Sequence, residues 1–166
     1  MSDYAITSHP VSAVVNQMES YRLEFKVSQP STFQWYKDNN QLPLATNGVL
    51  DLTNVVLGDS GSYRATASRD GKTLESRAAS IVCKPRVKVY VGNRQVSVIA
   101  NIAGAVIVRM IPADQGAKIR YTLDGSEPNQ GSVLYSSPFA VNKSLFLRVS
   151  VDGVETDPVR FKLYKK

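Results

Sequence analysis

Tyr21-Arg22-Leu23-Glu24-Phe25-Lys26-Val27 places an apolar or aromatic residue at every second position, and Arg86-Val87-Lys88-Val89-Tyr90-Val91 repeats the pattern in the second half of the chain. Successive side chains of a strand point to opposite faces, so a period of two marks ribbons buried on one side only. Further runs of strand character are 32–37, 49–52, 62–67, 76–83, 96–102, 105–111, 118–123 and 144–151. Between them stand Asp38-Asn39-Asn40, Thr46-Asn47-Gly48, Asp70-Gly71, Gly92-Asn93, Asp124-Gly125-Ser126 and Asp152-Gly153, residues that tolerate positive φ or close an Asx turn. No segment of ten or more residues has helical spacing, so the predicted fold class is all-β, two β-sandwich domains in tandem.

The division is expected at Lys84-Pro85, giving domains 1–84 and 85–166, because proline interrupts a strand there and a new alternating run starts at Arg86. So short a linker implies a stiff rod. Charge changes sign at the same place. Residues 1–83 hold seven Lys/Arg and eight Asp/Glu, whereas 84–166 hold thirteen and six, a net +7 that suits an acidic partner if the cations gather and is merely solvated if they stay dispersed.

A hydrophobic fraction of 43% with 20% charged residues belongs to an ordinary globular chain and excludes a disordered or fibrous one. No apolar run approaches the roughly 20 residues of a membrane span, so no membrane insertion is expected. Met1-Ser2-Asp3-Tyr4 has no basic cluster followed by an apolar stretch, which argues against a secretory signal and for synthesis in a reducing cytoplasm. The single cysteine, Cys83, can make no internal disulfide, and its place in a strand predicts a buried, inert thiol.

Phe33-Gln34-Trp35-Tyr36-Lys37-Asp38, followed by Asp59-Ser60-Gly61-Ser62-Tyr63-Arg64-Ala65, resembles an intermediate-set immunoglobulin-like domain. The resemblance implies a core of two facing sheets with Trp35 at its centre and Tyr63 as a tyrosine corner, its hydroxyl reaching back to upstream backbone. Where the family has its two cysteines, this chain has Phe25 and Ala65. A large and a small residue facing each other would conserve the volume of the missing bridge, at the loss of about 2–4 kcal/mol of stabilisation. The stretch 38–48 leaves little room for the extra strands of a variable-type domain. Leu42 and Leu44 in it offer either a contact surface or a cap on the core.

Ile119-Arg120-Tyr121-Thr122-Leu123-Asp124-Gly125-Ser126-Glu127-Pro128, with Leu134-Tyr135-Ser136-Ser137-Pro138-Phe139, resembles the C-terminal, fibronectin III-like β-sandwich of chitobiases and β-hexosaminidases. That module carries no catalytic residue, so the resemblance implies a structural or binding role, with Tyr121 in its core.

Chemistry-bearing residues are sparse. A hydrolase triad needs a general base, and the one histidine, His9, sits beside Pro10. Asp124 and Glu127 share one turn, where binding the turn's own amides is the simpler task. No ligand set for a metal and no glycine-rich phosphate loop is present, so no catalytic, metal or cofactor site is expected. Tyr4, Tyr90, Tyr135 and Tyr164 are candidate surface rings. The basic residues show no interleaving with aromatics along the chain, so no specific nucleic-acid binding is expected. Taken together the features resemble the immunoglobulin-like decoration proteins of bacteriophage particles. That resemblance implies a virion-surface protein made in a bacterial host, with repeated capsid or tail subunits as protein partners and cell-surface glycans as weak ligands. The alternative expectation is an accessory carbohydrate- or cell-wall-binding module at a bacterial surface or in a glycosidase.

Overall fold

Branched and aromatic residues in alternation build strands along the whole chain, and the only other regular element among the described residues is a 3-10 turn at Leu57–Asp59. The computed structural model describes residues 3–164. It divides into the units Met1–Cys83 and Lys84–Lys166.

The first unit contains β1 (Ile6–Ser8), β2 (Ala13–Asn16), β3 (Tyr21–Glu24), β4 (Lys26–Val27), β5 (Thr32–Lys37), β6 (Asn40–Gln41), β7 (Val49–Leu52), β8 (Gly61–Arg69), β9 (Lys72–Glu75) and β10 (Ala79–Lys84). One layer runs β2-β10-β8-β5-β6, with β9 also on β8, and the pairs β1-β4 and β3-β7 supply the rest. Strand β8 shows why the layers face each other: Tyr63, Ala65 and Ala67 are buried and Arg64, Thr66 and Ser68 point out. Its neighbour β5 contributes Trp35, which stands directly opposite Ala65 in the ladder, so the small side chain leaves room for the indole. The indole is fully buried and donates from Nε1 to the Asn47 carbonyl at 2.8 Å, which removes the cost of hiding a polar group.

Each residue of Asp59-Ser60-Gly61-x-Tyr63 has a job. The Asp59 carboxylate accepts from the Val56 amide (2.8 Å), and the Ser60 hydroxyl accepts from the Cys83 amide (2.9 Å). A Cβ on Gly61 would stand 2.6 Å from Oδ2 of Asp38, whose Oδ1 accepts the Ser62 amide at 2.8 Å. The Tyr63 hydroxyl then donates back to the Asp59 carbonyl at 2.8 Å.

Two expected strands of this unit are broken. The run 21–27 keeps its alternation, but at Phe25 it changes partner: β3 pairs with β7, and β4 pairs with β1. The Phe25 amide closes the first ladder by donating to Gly48 O at 2.8 Å. In the run 76–83, residues 76–78 lie outside the ladder. Between the pairs Thr66↔Glu75 and Tyr63↔Ala79 the partner strand spends one residue more than β8, the arithmetic of a bulge. Ser76 holds it by accepting the Ala65 amide on Oγ (2.9 Å) and donating its own amide to Ala65 O (2.8 Å).

The second unit contains β11 (Val87–Val91), β12 (Arg94–Val96), β13 (Ile99–Ile102), β14 (Val106–Pro112), β15 (Ile119–Thr122), β16 (Val133–Leu134), β17 (Phe139–Val141), β18 (Leu145–Val151), β19 (Val154–Glu155) and β20 (Val159–Leu163). Its sheets are β12-β11-β14-β17 and β13-β20-β18-β15-β16, with β19 on β18. Val89, Val108, Met110, Leu147, Val149 and Phe161 fill the space between them. The expected strand 96–102 is two strands in different sheets. β12 pairs antiparallel with β11, the chain crosses at Ser97-Val98, and β13 pairs parallel with β20. Apolar residues on both sides of the crossing hid it, because Val96 and Ile102 are buried in the same core.

Candidate interaction surface

The aromatic and small residues singled out in the first unit lie inside it: Phe25, Trp35, Tyr63 and Ala65 are all at most 1% exposed and belong to one core cluster. Phe25 meets Phe33 edge-on at 6.1 Å and lies stacked against the His9 ring at 6.4 Å. His9 itself has a structural task. Its Nδ1 accepts the amide of Arg77 at 3.0 Å, satisfying a donor that the bulge had removed from the ladder. Burial pushes the Tyr63 phenol up to about 12, with the carboxylates of Asp59 and Asp38 adding to the effect. The two leucines of the 38–48 loop divide between the readings: Leu42 packs on the core, while Leu44 is 93% exposed.

In the second unit Tyr121 is partly buried and stacks flat on Phe139 (4.8 Å, 3° between planes), with Tyr135 edge-on to both. The Tyr135 hydroxyl accepts the Met110 amide at 3.1 Å, so this ring ties the two sheets rather than facing solvent. Asp124 accepts both the hydroxyl (2.6 Å) and the amide (3.0 Å) of Ser126, and these bonds hold its carboxyl below the usual range. Glu127 lies instead on Arg148, which also bonds Glu155. The turn's carboxylates thus serve the turn. Among the described residues, no group of three His, Cys, Asp or Glu side chains is arranged to hold a metal ion, and no helix is long and apolar enough to cross a membrane.

What the surface offers is a device that the linear sequence conceals. Tyr36 faces Arg64 across β5 and β8, Tyr90 faces Arg109 across β11 and β14, and Phe146 faces Arg160 across β18 and β20, each a directly opposed pair. In each the guanidinium lies over the ring, 4.3, 4.8 and 4.8 Å from its centre. Basic and aromatic residues are therefore interleaved across strands, though not along them. Such stacks stabilise an exposed sheet face by about 0.5–1 kcal/mol. The sheet β12-β11-β14-β17 combines one of them with exposed isoleucines: Lys88 and Tyr90 on β11 share the outward face with Ile107, Arg109 and Ile111 on β14, while Val89, Val108 and Met110 alternate inward.

The family model described as Fn3 associated matches residues 109–157, from within β14 through β19. No curated protein matches the chain. Among solved structures, the titin domains Z1Z2 in complex with telethonin are 14% identical to it, with a TM-score of 0.48 and coverage of 100% of this chain and 99% of that one. The N-terminal Ig1-2 module of the Drosophila receptor protein tyrosine phosphatase DLAR is 12% identical, with a TM-score of 0.43 and coverage of 98% and 100%. The N-terminal eight Ig domains of Down syndrome cell adhesion molecule are 11% identical, with a TM-score of 0.47 and coverage of 100% and 27%. Both units are β-sandwiches, each closed over its own core. At these identities and TM-scores the likeness carries nothing about function, which in a β-sandwich resides in the surfaces that loops and sheet faces present.

Proposed function

We propose that the protein is a non-enzymatic virion-surface component, a capsid decoration or tail-associated protein, which docks on the particle and displays a domain for weak adhesion to cell-surface material. The observation that carries the reading is the disposal of its functional groups. The aromatic residues of the first unit's core and the carboxylates of the second unit's main turn are consumed by packing and turn bonds, whereas sheet faces stay open and carry stacked arginines. A core in which Phe25 and Ala65 stand at the cysteine positions of related domains suits a chain that folds in the reducing cytoplasm of a bacterial host before it is exposed outside. Its partners on this reading are repeated capsid or tail subunits, with many copies compensating for weak single contacts. Cell-surface glycans are the secondary ligands, and neither nucleic-acid specificity nor membrane insertion is involved.

The Fn3-associated match over 109–157 favours a second reading, an accessory carbohydrate- or cell-wall-binding module of a bacterial surface protein or glycosidase. Immunogold electron microscopy of virions purified from the source, with antibody against this chain, separates the two. Gold on the particle surface supports the first reading and bare particles overturn it. Retention of the chain on insoluble chitin or peptidoglycan, with bare particles, supports the second.

A further inference from the structure

We infer that the outward face of the β12-β11-β14-β17 sheet is a docking surface for an acidic protein partner, with Arg109 and Lys88 as its charged contacts and Ile107 and Ile111 as its apolar ones. The inference deepens the proposed function and rests on its premise that sheet faces, rather than a pocket, do the work. The face is built by the ladder register. Lys88 stands opposite Ile111 and Tyr90 opposite Arg109, so cations and apolar groups form a compact checkered patch. Ile107 is 53% exposed and Ile111 is 38% exposed, an unusual choice for outward positions of a solvated sheet. The Arg109 guanidinium lies over the Tyr90 ring, 4.8 Å from its centre, which holds it in place before any partner arrives and reduces the entropy lost on binding.

Charge complementarity selects the occupant. The outward residues of these strands include two cations and no carboxylate, and neither Lys88 nor Arg109 forms an ion pair among the described residues. Five of the second unit's six acids are placed elsewhere: Glu127 and Glu155 lie on Arg148, Asp157 on Lys84, and Asp124 and Asp152 accept the amides of Ser126 and Lys118, while the sixth, Asp114, lies in the loop beyond the end of β14. A net +7 on residues 84–166 reinforces attraction of an acidic surface at long range. A nucleic-acid backbone is the poorer fit, because phosphates offer nothing to cover the two isoleucines. Tyr, Arg and Ile around a dehydrated centre are the composition of protein–protein contact.

The test uses the full-length, 15N-labelled chain. It is titrated with two synthetic peptides of equal length, one alternating Asp or Glu with Leu and the other alternating them with Ser, and separately with a short single-stranded RNA. The expected result is saturable amide shifts centred on Tyr90, Ile107, Arg109 and Ile111 with the acidic–apolar peptide. They should be weakened about tenfold or more by Arg109→Glu, as for a central interface contact, and also by Ile107→Ser. Lys88→Glu, at a solvated position, is the second charge variant should Arg109→Glu disturb the fold. Absence of saturable shifts, shifts mapping to another surface, an equal response to the Ser-containing peptide, or tighter binding of RNA each overturns the inference. Gold-labelled virions together with a silent sheet face would overturn this inference and leave the proposed function standing. Bare virions with a responsive face would do the reverse.

Discussion

Gly125 and Phe146 are in contact so close that a Cβ on residue 125 would stand 2.6 Å from Cδ1 of the ring, and the glycine also has φ of +84°. The Asp124-Gly125-Ser126 turn is thereby bound to β18, where an isolated bridge joins Asp124 to Phe146. Gly125→Ala should cost about 1–2 kcal/mol from the left-handed backbone alone. Displacement of Phe146, and with it Arg160, adds to this. A lowered midpoint for the second unit in chemical denaturation, followed by its amide signals, is the expected outcome; an unchanged midpoint would refute the packing account.

Phe25→Ala should destabilise the first unit by about 3–5 kcal/mol, since the ring is fully buried and has no bridge beside it to limit the damage. Trp35 is the chain's only tryptophan, so its fluorescence reports this unit selectively. The expected result is an indole emission already shifted toward that of water, or an unfolding midpoint far below the parent's. A variant that melts like the parent would show that Phe25 is not central to the core.

Tyr63 gives the first unit an alkaline limit. Its phenol ionises at about 12 in the folded chain, against about 10 for an unfolded one. Between those values the unfolded chain has lost the proton and the folded one keeps it, so the stabilising contribution is complete below about pH 10 and drains away as pH rises toward 12. Tyr63→Phe should lose about 0.5–1.5 kcal/mol at neutral pH, with the hydroxyl's bond to Asp59 gone. It should also show a shallower fall in Trp35-monitored stability across that alkaline window. Parallel profiles for the two proteins would sink the assignment.

His9→Ala removes the acceptor for the Arg77 amide and the ring stacked on Phe25. A loss of about 0.5–1.5 kcal/mol is expected for a hydrogen bond at an exposed site, where water can take the acceptor's place. The sharper sign is local: the Arg77 amide should exchange with solvent faster while amides at the centre of β8 keep their protection. Unchanged exchange at Arg77 would mean that the histidine is incidental.

Much of this architecture was legible because period-two alternation and turn residues are local signals. Trp35, Tyr63 and the Asp-Ser-Gly turn announced the first sandwich, and Asp124-Gly125 with Tyr135 and Phe139 announced the second. Changes of strand partner were not legible. At Phe25 and at Ser97-Val98 the inward side chains keep their rhythm while the hydrogen bonds pass to another neighbour, and hydrophobic pattern records only the former. Strand β20 alternates as cleanly as any other yet was not among the expected runs, while β1 is too short at three residues to show a period. The candidate surface was hidden for a related reason. Tyr90 and Arg109 are far apart in sequence, and only the pairing of β11 with β14 brings them together. Isoleucine at the outward positions 107 and 111, Tyr90 among the candidate surface rings and the net +7 of residues 84–166 were the available hints.

The three opposed aromatic–arginine pairs bear on how the chain finds its alignment. If β14 slid by a single residue against the sandwich, Arg109 would swing to the interior and Met110 to the water, and the guanidinium would be stranded without a counter-ion at a cost of several kcal/mol. The same forfeit awaits Arg64 and Arg160 on their own strands. Each cation thus works as a latch that closes in one register and jams in its neighbours, a safeguard against misfolding that this cystine-free chain carries in place of a covalent lock.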